Sequence, residues 1–205
     1  MTKVYESLAN DYMYSDVNNI MIFPDNHDMS RIYTRLDEDF DKWKMAMTLF
    51  FTTRGTLQFY YGTEILMNNP GTEDHGVIRS DFPGGWEGDA VNAFTGEGLT
   101  AQQKEAQEYI RTLAHLRRQS CALNMGEMLH YIPLGEVYVY FKSFGDEHKM
   151  IVLNRNDEEV ELGLERFQQG LEGFTRMDNV WTGEVEEIGT TLTLAPMGSY
   201  IFDLN

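Results

Sequence analysis

The hydrophobic pattern of this chain changes its period near Cys121, and that change divides it into two kinds of structure. Upstream, short apolar runs alternate with helical spacing. Residues 19–23 contain the continuous run Ile20-Met21-Ile22-Phe23, stopped by Pro24, which suits a strand buried on both faces. Residues 39–53 place Phe40, Trp43, Met47, Phe50 and Phe51 at three-to-four spacing before Gly55, the pattern of a helix with a glycine stop. Residues 56–61 are again strand-like. Residues 62–99 have little periodicity and many Gly, Asn, Asp and Pro, too long for a plain connector and therefore read as a functional loop. Thr100 is the expected N-cap of a helix running to Gln119, with Ala106, Ile110, Leu113, Ala114 and Leu116 on one face and Arg117 and Arg118 at its C-terminal end.

Downstream the period shortens to two. Strands are expected at 128–132, 137–144, 150–154, 160–162, 192–194 and 199–204, separated by turn residues at Gly135, Gly145-Asp146, 154–157 and Gly198. This is an antiparallel all-β module. The domain boundary is placed accordingly, with residues 1–120 in an α/β part and 121–205 in a β-sandwich.

The 205 residues carry a formal net charge of −17, which disfavours nucleic acid and anionic membranes as partners because both would repel the surface. One cysteine excludes an intramolecular disulfide and a multi-cysteine zinc site. No run approaches the length of a membrane span, and residues 1–10 lack a basic-then-apolar signal pattern. The compartment stays open between periplasm and cytoplasm.

Three motifs carry chemistry. Phe23-Pro24-Asp25-Asn26-His27-Asp28 leaves the first strand; 55–65 reads Gly-Thr-Leu-Gln-Phe-Tyr-Tyr-Gly-Thr-Glu-Ile; and 78–86 reads Ile-Arg-Ser-Asp-Phe-Pro-Gly-Gly-Trp. In order and spacing these resemble the α-amylase superfamily, glycoside hydrolase family 13, in its neopullulanase and cyclomaltodextrinase branch. The resemblance implies the last two strand-helix units of a (β/α)8 TIM barrel followed by a C-terminal antiparallel β-sandwich. A complete barrel takes about 250 residues and eight such units, so the chain reads as the C-terminal portion of a larger enzyme. It implies that the nucleophilic aspartate and the acid/base glutamate lie upstream, that Asp28 is the third carboxylate, and that His27 and Arg79 bind sugar hydroxyls.

Asp74 is a further substrate-binding candidate and a possible partner of Arg79, though its spacing departs from the family's. Asn26 is expected to brace the loop, and Tyr60, Tyr61 and Glu64 to pack and brace. Phe82 and Trp86 are either core rings or faces for a sugar. Arg35-Leu36-Asp37 imitates a nucleophile motif but follows the Asn-His-Asp motif instead of preceding it; Asp37, Glu38 and Asp39 read instead as an acidic helix-leading segment.

The expected ligand is an α-glucan oligosaccharide or polysaccharide. No cofactor is implied; calcium occurs in the wider family, but no ligand cluster here demands it. The expected activity is that of a retaining α-glucan hydrolase, with the chain inert alone. The alternatives are a glucanotransferase of the same family and a non-catalytic carbohydrate-binding or interaction module. The latter would be favoured by an exposed row among Tyr131, Tyr138, Tyr140, Phe141 and Phe144. Open strand edges and apolar surface around residues 20–23 and 57–61 predict self-association through the barrel edge.

Overall fold

The computed structural model describes residues 1–205. In chain order the elements are α1 (Thr2–Leu8), β1 (Met21–Ile22), α2 (Ile32–Arg35), α3 (Phe40–Thr52), β2 (Thr56–Leu57), α4 (His75–Ile78), α5 (Ala101–Gln119) and α6 (Cys121–Met125). They are followed by β3 (Glu127–His130), β4 (Val137–Phe144), β5 (Glu147–Asn154), β6 (Val160–Gly163), α7 (Gln168–Leu171), β7 (Arg176–Asn179), β8 (Val185–Glu187), β9 (Thr191–Leu194) and β10 (Ser199–Leu204). Two compact units result: one holds residues 21–51 and 57–116, the other residues 1–20, 52–56 and 117–205.

In the first unit, β1 enters the loop that carries the Asn-His-Asp motif. Gln58 N–H donates to the Ile22 carbonyl at 2.8 Å, which starts β2 alongside β1. The strand is shorter than its apolar run, and it is not buried on both faces: Met21 is 58% exposed. β1 and β2 form a sheet of only two strands, too narrow to carry a covering layer over both of its faces.

α3 begins where Asp39 turns its carboxylate back on the N–H groups of Asp41 and Lys42, both at 3.0 Å. Asp37 and Glu38, at φ +59° and +57°, form the turn that leads into it. Trp43, Met47 and Phe51 are buried as their spacing requires. α5 starts with a reciprocal cap: Thr100 Oγ1 accepts from Gln103 N–H at 3.2 Å, and Gln103 Oε1 accepts from Thr100 N–H at 3.0 Å. Its buried stripe is Ala106, Ile110 and Leu113; Ala114 is exposed, because one step past Leu113 rotates it off that stripe. Thr48 and Tyr109 share a hydroxyl hydrogen bond of 2.6 Å between α3 and α5.

The second unit is an antiparallel sandwich. Its large sheet runs β3-β4-β5-β10-β7-β8, and β6 pairs with β9 in a smaller one. β4 and β5 form a hairpin in which Tyr140 faces Ile151 and Phe141 faces Met150, with Gly145 supplying the positive φ (+57°) needed at the turn. Alternation sends Val137, Val139 and Phe141 into a core with Met150, Val152, Leu164, Phe167, Leu192, Leu194 and Phe202. The opposite side chains, Tyr138, Tyr140 and Lys142, are buried as well. α6 packs over β4 and β5 there, the Thr52 hydroxyl pairs with Tyr140 Oη, and Arg117 donates to the carbonyls of Thr53, at 3.0 Å, and Gly55.

Two strands escaped the sequence pattern. β7 and β8 are polar except for Met177 and Val185, and β8 is exposed throughout at the sheet edge. The aromatics do not make an exposed row. Tyr138, Tyr140 and Phe141 are buried, Tyr131 packs on the core, and of the five Phe144 alone is exposed.

Candidate functional site

The site is built in the first unit, on the loop that follows β1. Asp25 ends the strand as a fully buried carboxylate, accepting from Ile32 N–H at 2.8 Å and from the Thr63 hydroxyl at 3.1 Å. Burial raises its pKa, while those hydrogen bonds and the nearby Arg31 pull the other way. Glu64 is likewise raised by burial and lowered in part by Arg31. A buried cation thus lies near both the buried Asp25 and the partly buried Glu64.

Arg31 is that cation. Its guanidinium stacks on the Tyr60 ring, 4.1 Å from the centroid, and donates through Nε to the Ile78 carbonyl at 3.0 Å and through Nη1 to the Tyr61 carbonyl. Its backbone N–H donates to Asn69 Oδ1 at 2.8 Å. These bonds join the segment after the Asn-His-Asp motif to the end of α4, where Arg79 begins. Tyr61 Oη donates to the Ser80 carbonyl at 2.9 Å, so Tyr60 and Tyr61 brace the loop as expected.

Next, Asn26 closes a tight turn by accepting Asp28 N–H at 2.8 Å, the bracing expected of it. That turn presents His27 and Asp28 to solvent. Arg79 reaches them from the end of α4: its Nε donates to the His27 carbonyl at 3.0 Å and its Nη2 to Asp28 Oδ1 at 2.8 Å. His27 Nε2 lies 3.2 Å from Asp28 Oδ2. The same Arg79 Nη2 lies 2.6 Å from His75 Nδ1, which is 4.0 Å from Asp28 Oδ1. Asp28 is therefore a carboxylate 62% exposed, held by one guanidinium and flanked by two imidazoles.

Of the four site residues expected from sequence, His27, Asp28 and Arg79 come together. Asp74 does not pair with Arg79. Its carboxylate caps α4, accepting Gly76 N–H at 2.7 Å, and Arg79 pairs with Asp28 instead. Sequence reasoning missed His75, Arg31 and Asn69. His75 had a weak signal, four residues before Arg79 and so one helical turn away; Arg31 and Asn69 had none.

The Asp-Phe-Pro-Gly-Gly loop is pinned by Asp89, whose Oδ2 accepts Gly84 N–H at 2.8 Å and Trp86 N–H at 3.2 Å. Gly84 has φ +96°, and a Cβ there would stand 2.6 Å from Asn92 Cγ, so only glycine fits. Phe82 packs inward against Ile65, Ala93 and Leu99 and meets Phe94 edge-on at 5.0 Å. Trp86 is 68% exposed.

A loop carboxylate clamped by an arginine, with imidazoles on either side, sets hydrogen-bond acceptors and donors side by side, an arrangement suited to a polyhydroxylated ligand. Residues 1–112 match the alpha amylase catalytic domain, and residues 128–203 match the cyclo-malto-dextrinase C-terminal domain. The chain belongs to the α-amylase family, and its fold is the end of a (β/α)8 barrel followed by an antiparallel β-sandwich.

Among curated relatives, the cyclomaltodextrin glucanotransferase of Geobacillus stearothermophilus is 30% identical over 143 residues, 70% of this chain and 17% of that one. A cyclomaltodextrin glucanotransferase of Paenibacillus macerans is 28% identical over 76% of this chain and 19% of its own length, and an alpha-amylase of Niallia circulans is 29% identical over 76% and 26%. Among solved structures, AmyP in complex with maltose superposes with a TM-score of 0.81 at 18% identity, covering 98% of this chain and 44% of that one. The alpha-amylase of Geobacillus thermoleovorans complexed with acarbose gives 0.77 at 21%, covering 98% and 42%. The chain thus spans about a fifth of the length of these glucanotransferases and under half of the solved chains.

Proposed function

We propose that this chain supplies the third carboxylate and part of the sugar-binding wall of a retaining α-glucan hydrolase acting on cyclodextrins, pullulan or maltooligosaccharides, at α-1,4 and possible α-1,6 bonds. The observation that carries the reading is the pairing of Asp28 with Arg79 on the Asn-His-Asp loop, with His27 3.2 Å from the same carboxylate.

Retaining glycosidases need two carboxyl groups about 5 to 5.5 Å apart, one to attack the anomeric carbon and one to protonate the leaving oxygen. In this proposal Asp28 is neither. It binds sugar hydroxyls and stabilises the oxocarbenium-like transition state, an ionised group acting where positive charge develops. His27 donates to a hydroxyl, and Arg79 fixes the carboxylate while reaching sugar with what remains of its fork. Asp74, as the cap of α4, contributes to the sugar-binding wall by setting where α4 begins. The nucleophile and the acid/base belong to segments outside these 205 residues, so the chain alone is inert. Residues 1–120 form the catalytic-domain part and 121–205 the sandwich domain.

A glucanotransferase is the second reading, favoured by the cyclomaltodextrin glucanotransferases among the relatives. Water and a sugar hydroxyl compete for the same glycosyl intermediate, so both readings use Asp28 alike.

The test is reducing-sugar release and cyclodextrin formation from soluble starch, pullulan and cyclodextrin. It compares the 205-residue chain with a chain extended upstream through the whole barrel, each with and without Asp28→Asn. Activity confined to the extended chain, and lowered about 10²- to 10³-fold by the substitution, is the expected result. Turnover by the short chain that survives purification controls overturns it.

A further inference from the structure

The clamp on Asp28 contains a residue that the motifs did not single out. His75 opens α4, and its Nδ1 lies 2.6 Å from Arg79 Nη2, while that same nitrogen donates to Asp28 Oδ1 at 2.8 Å. A terminal guanidinium nitrogen carries two N–H bonds and no lone pair. One hydrogen goes to Asp28, and the other points at the imidazole. Nδ1 must therefore be the acceptor, which in a neutral ring places the proton on Nε2. The ring is 53% exposed, and Nε2 makes no hydrogen bond within the protein. It is an oriented donor directed away from Arg79, on the same wall as the sugar-binding carboxylate.

We propose that His75 is a further substrate-binding residue of this site, donating its Nε2–H to a hydroxyl of the α-glucan, with Arg79 setting the tautomer that makes it a donor. The inference rests on the glucan reading of Asp28 and adds a specificity contact to it. A hydroxyl both donates and accepts, so the Asp28 carboxylate and the His75 N–H are complementary partners for neighbouring hydroxyls of one sugar ring. Arg79 thus positions both members of the pair, holding the acceptor by an ion pair and the donor by a hydrogen bond.

The test has two readouts on the 205-residue chain, the second repeated on the chain extended upstream. The first is the ¹⁵N shift of the His75 ring nitrogens at about pH 8.5, where an ordinary imidazole is neutral. Nδ1 should read as unprotonated and Nε2 as protonated, and Arg79→Met should return the ring to a mixture of tautomers. An Nδ1–H tautomer in the unsubstituted chain overturns the proposal.

The second is maltotriose affinity by NMR titration. Gln carries its amide nitrogen where Nε2 stands, and Asn can replace only Nδ1. His75→Gln is therefore expected to bind within about twofold of the unsubstituted chain. His75→Asn and His75→Ala should lose roughly fivefold, the worth of one hydrogen bond. Unchanged affinity in His75→Asn and His75→Ala, beside a clear loss in Asp28→Asn, removes His75 from the site and leaves the glucan reading standing. Unchanged affinity in all of them, or no binding by the chain extended upstream through the whole barrel, overturns the glucan reading itself and this inference with it.

Discussion

Lys142 is a full charge inside the sandwich unit. It is 0% exposed, and its Nζ donates to the Gly126 carbonyl at 2.6 Å. Burial, with repulsion from Arg117 and Arg54, lowers its pKa from 10.5 to about 8. A base depressed on folding binds fewer protons folded than unfolded between those two values, so stability rises with pH from about 8 to 10.5 and is lost as pH falls through about 8. Removing the amine should therefore help most near neutrality. Lys142→Met is expected to unfold at a higher temperature than the unsubstituted chain at pH 7, with the gap narrowing by pH 10; a lower melting temperature at both values would refute the assignment. Legibility in the sequence follows the same division between what a side chain does locally and what burial does to it. Asn26, His27, Asp28 and Arg79 were readable because consecutive residues carry the motif. Arg31 and Asn69 were not, since their meaning comes from partners distant in sequence, such as Ile78 for Arg31 and Ser30 for Asn69, while His75 offered only its four-residue spacing from Arg79.

Elements were legible where one face is buried and a cap is written into the chain. α5 begins at the Thr100–Gln103 reciprocal cap, and β4 runs from Val137 to Phe144 with no residue to adjust. Thr100→Ala is expected to lower stability by about 1 kcal/mol, read as a shift in the urea midpoint, because Gln103 N–H loses its acceptor. Thr100→Ser should restore most of it. β7 and β8 were illegible for the opposite reason. Their pairing with β10 and with each other is held by backbone hydrogen bonds, and the charges of Glu186 and Glu187 guard an edge, so little apolar alternation is left to read. β1 was readable as a strand, but its length and burial depend on neighbouring strands, which a local pattern does not specify.

At the scale of the molecule, two opposing features bear on whether copies of the chain associate. β1 presents Met21, 58% exposed, on a two-stranded sheet, a surface that a second copy can cover. The net charge of −17 keeps copies apart. We therefore expect light scattering to report a mass above that of the monomer, increasing as salt is raised from about 0.01 to 1 M and the Debye length shrinks from about 30 to 3 Å. A sharply monomeric species throughout would refute it, and Met21→Lys should reduce the association.

The strand order of the large sheet has a consequence for how the polypeptide is made. β10 is the last strand in sequence, yet it sits between β5 and β7 and hydrogen-bonds to both. On the ribosome β3, β4 and β5 emerge early and can pair as a meander, but β5 keeps an open, apolar edge until residues 199–204 clear the exit tunnel. The large sheet is therefore expected to close only when that central strand arrives.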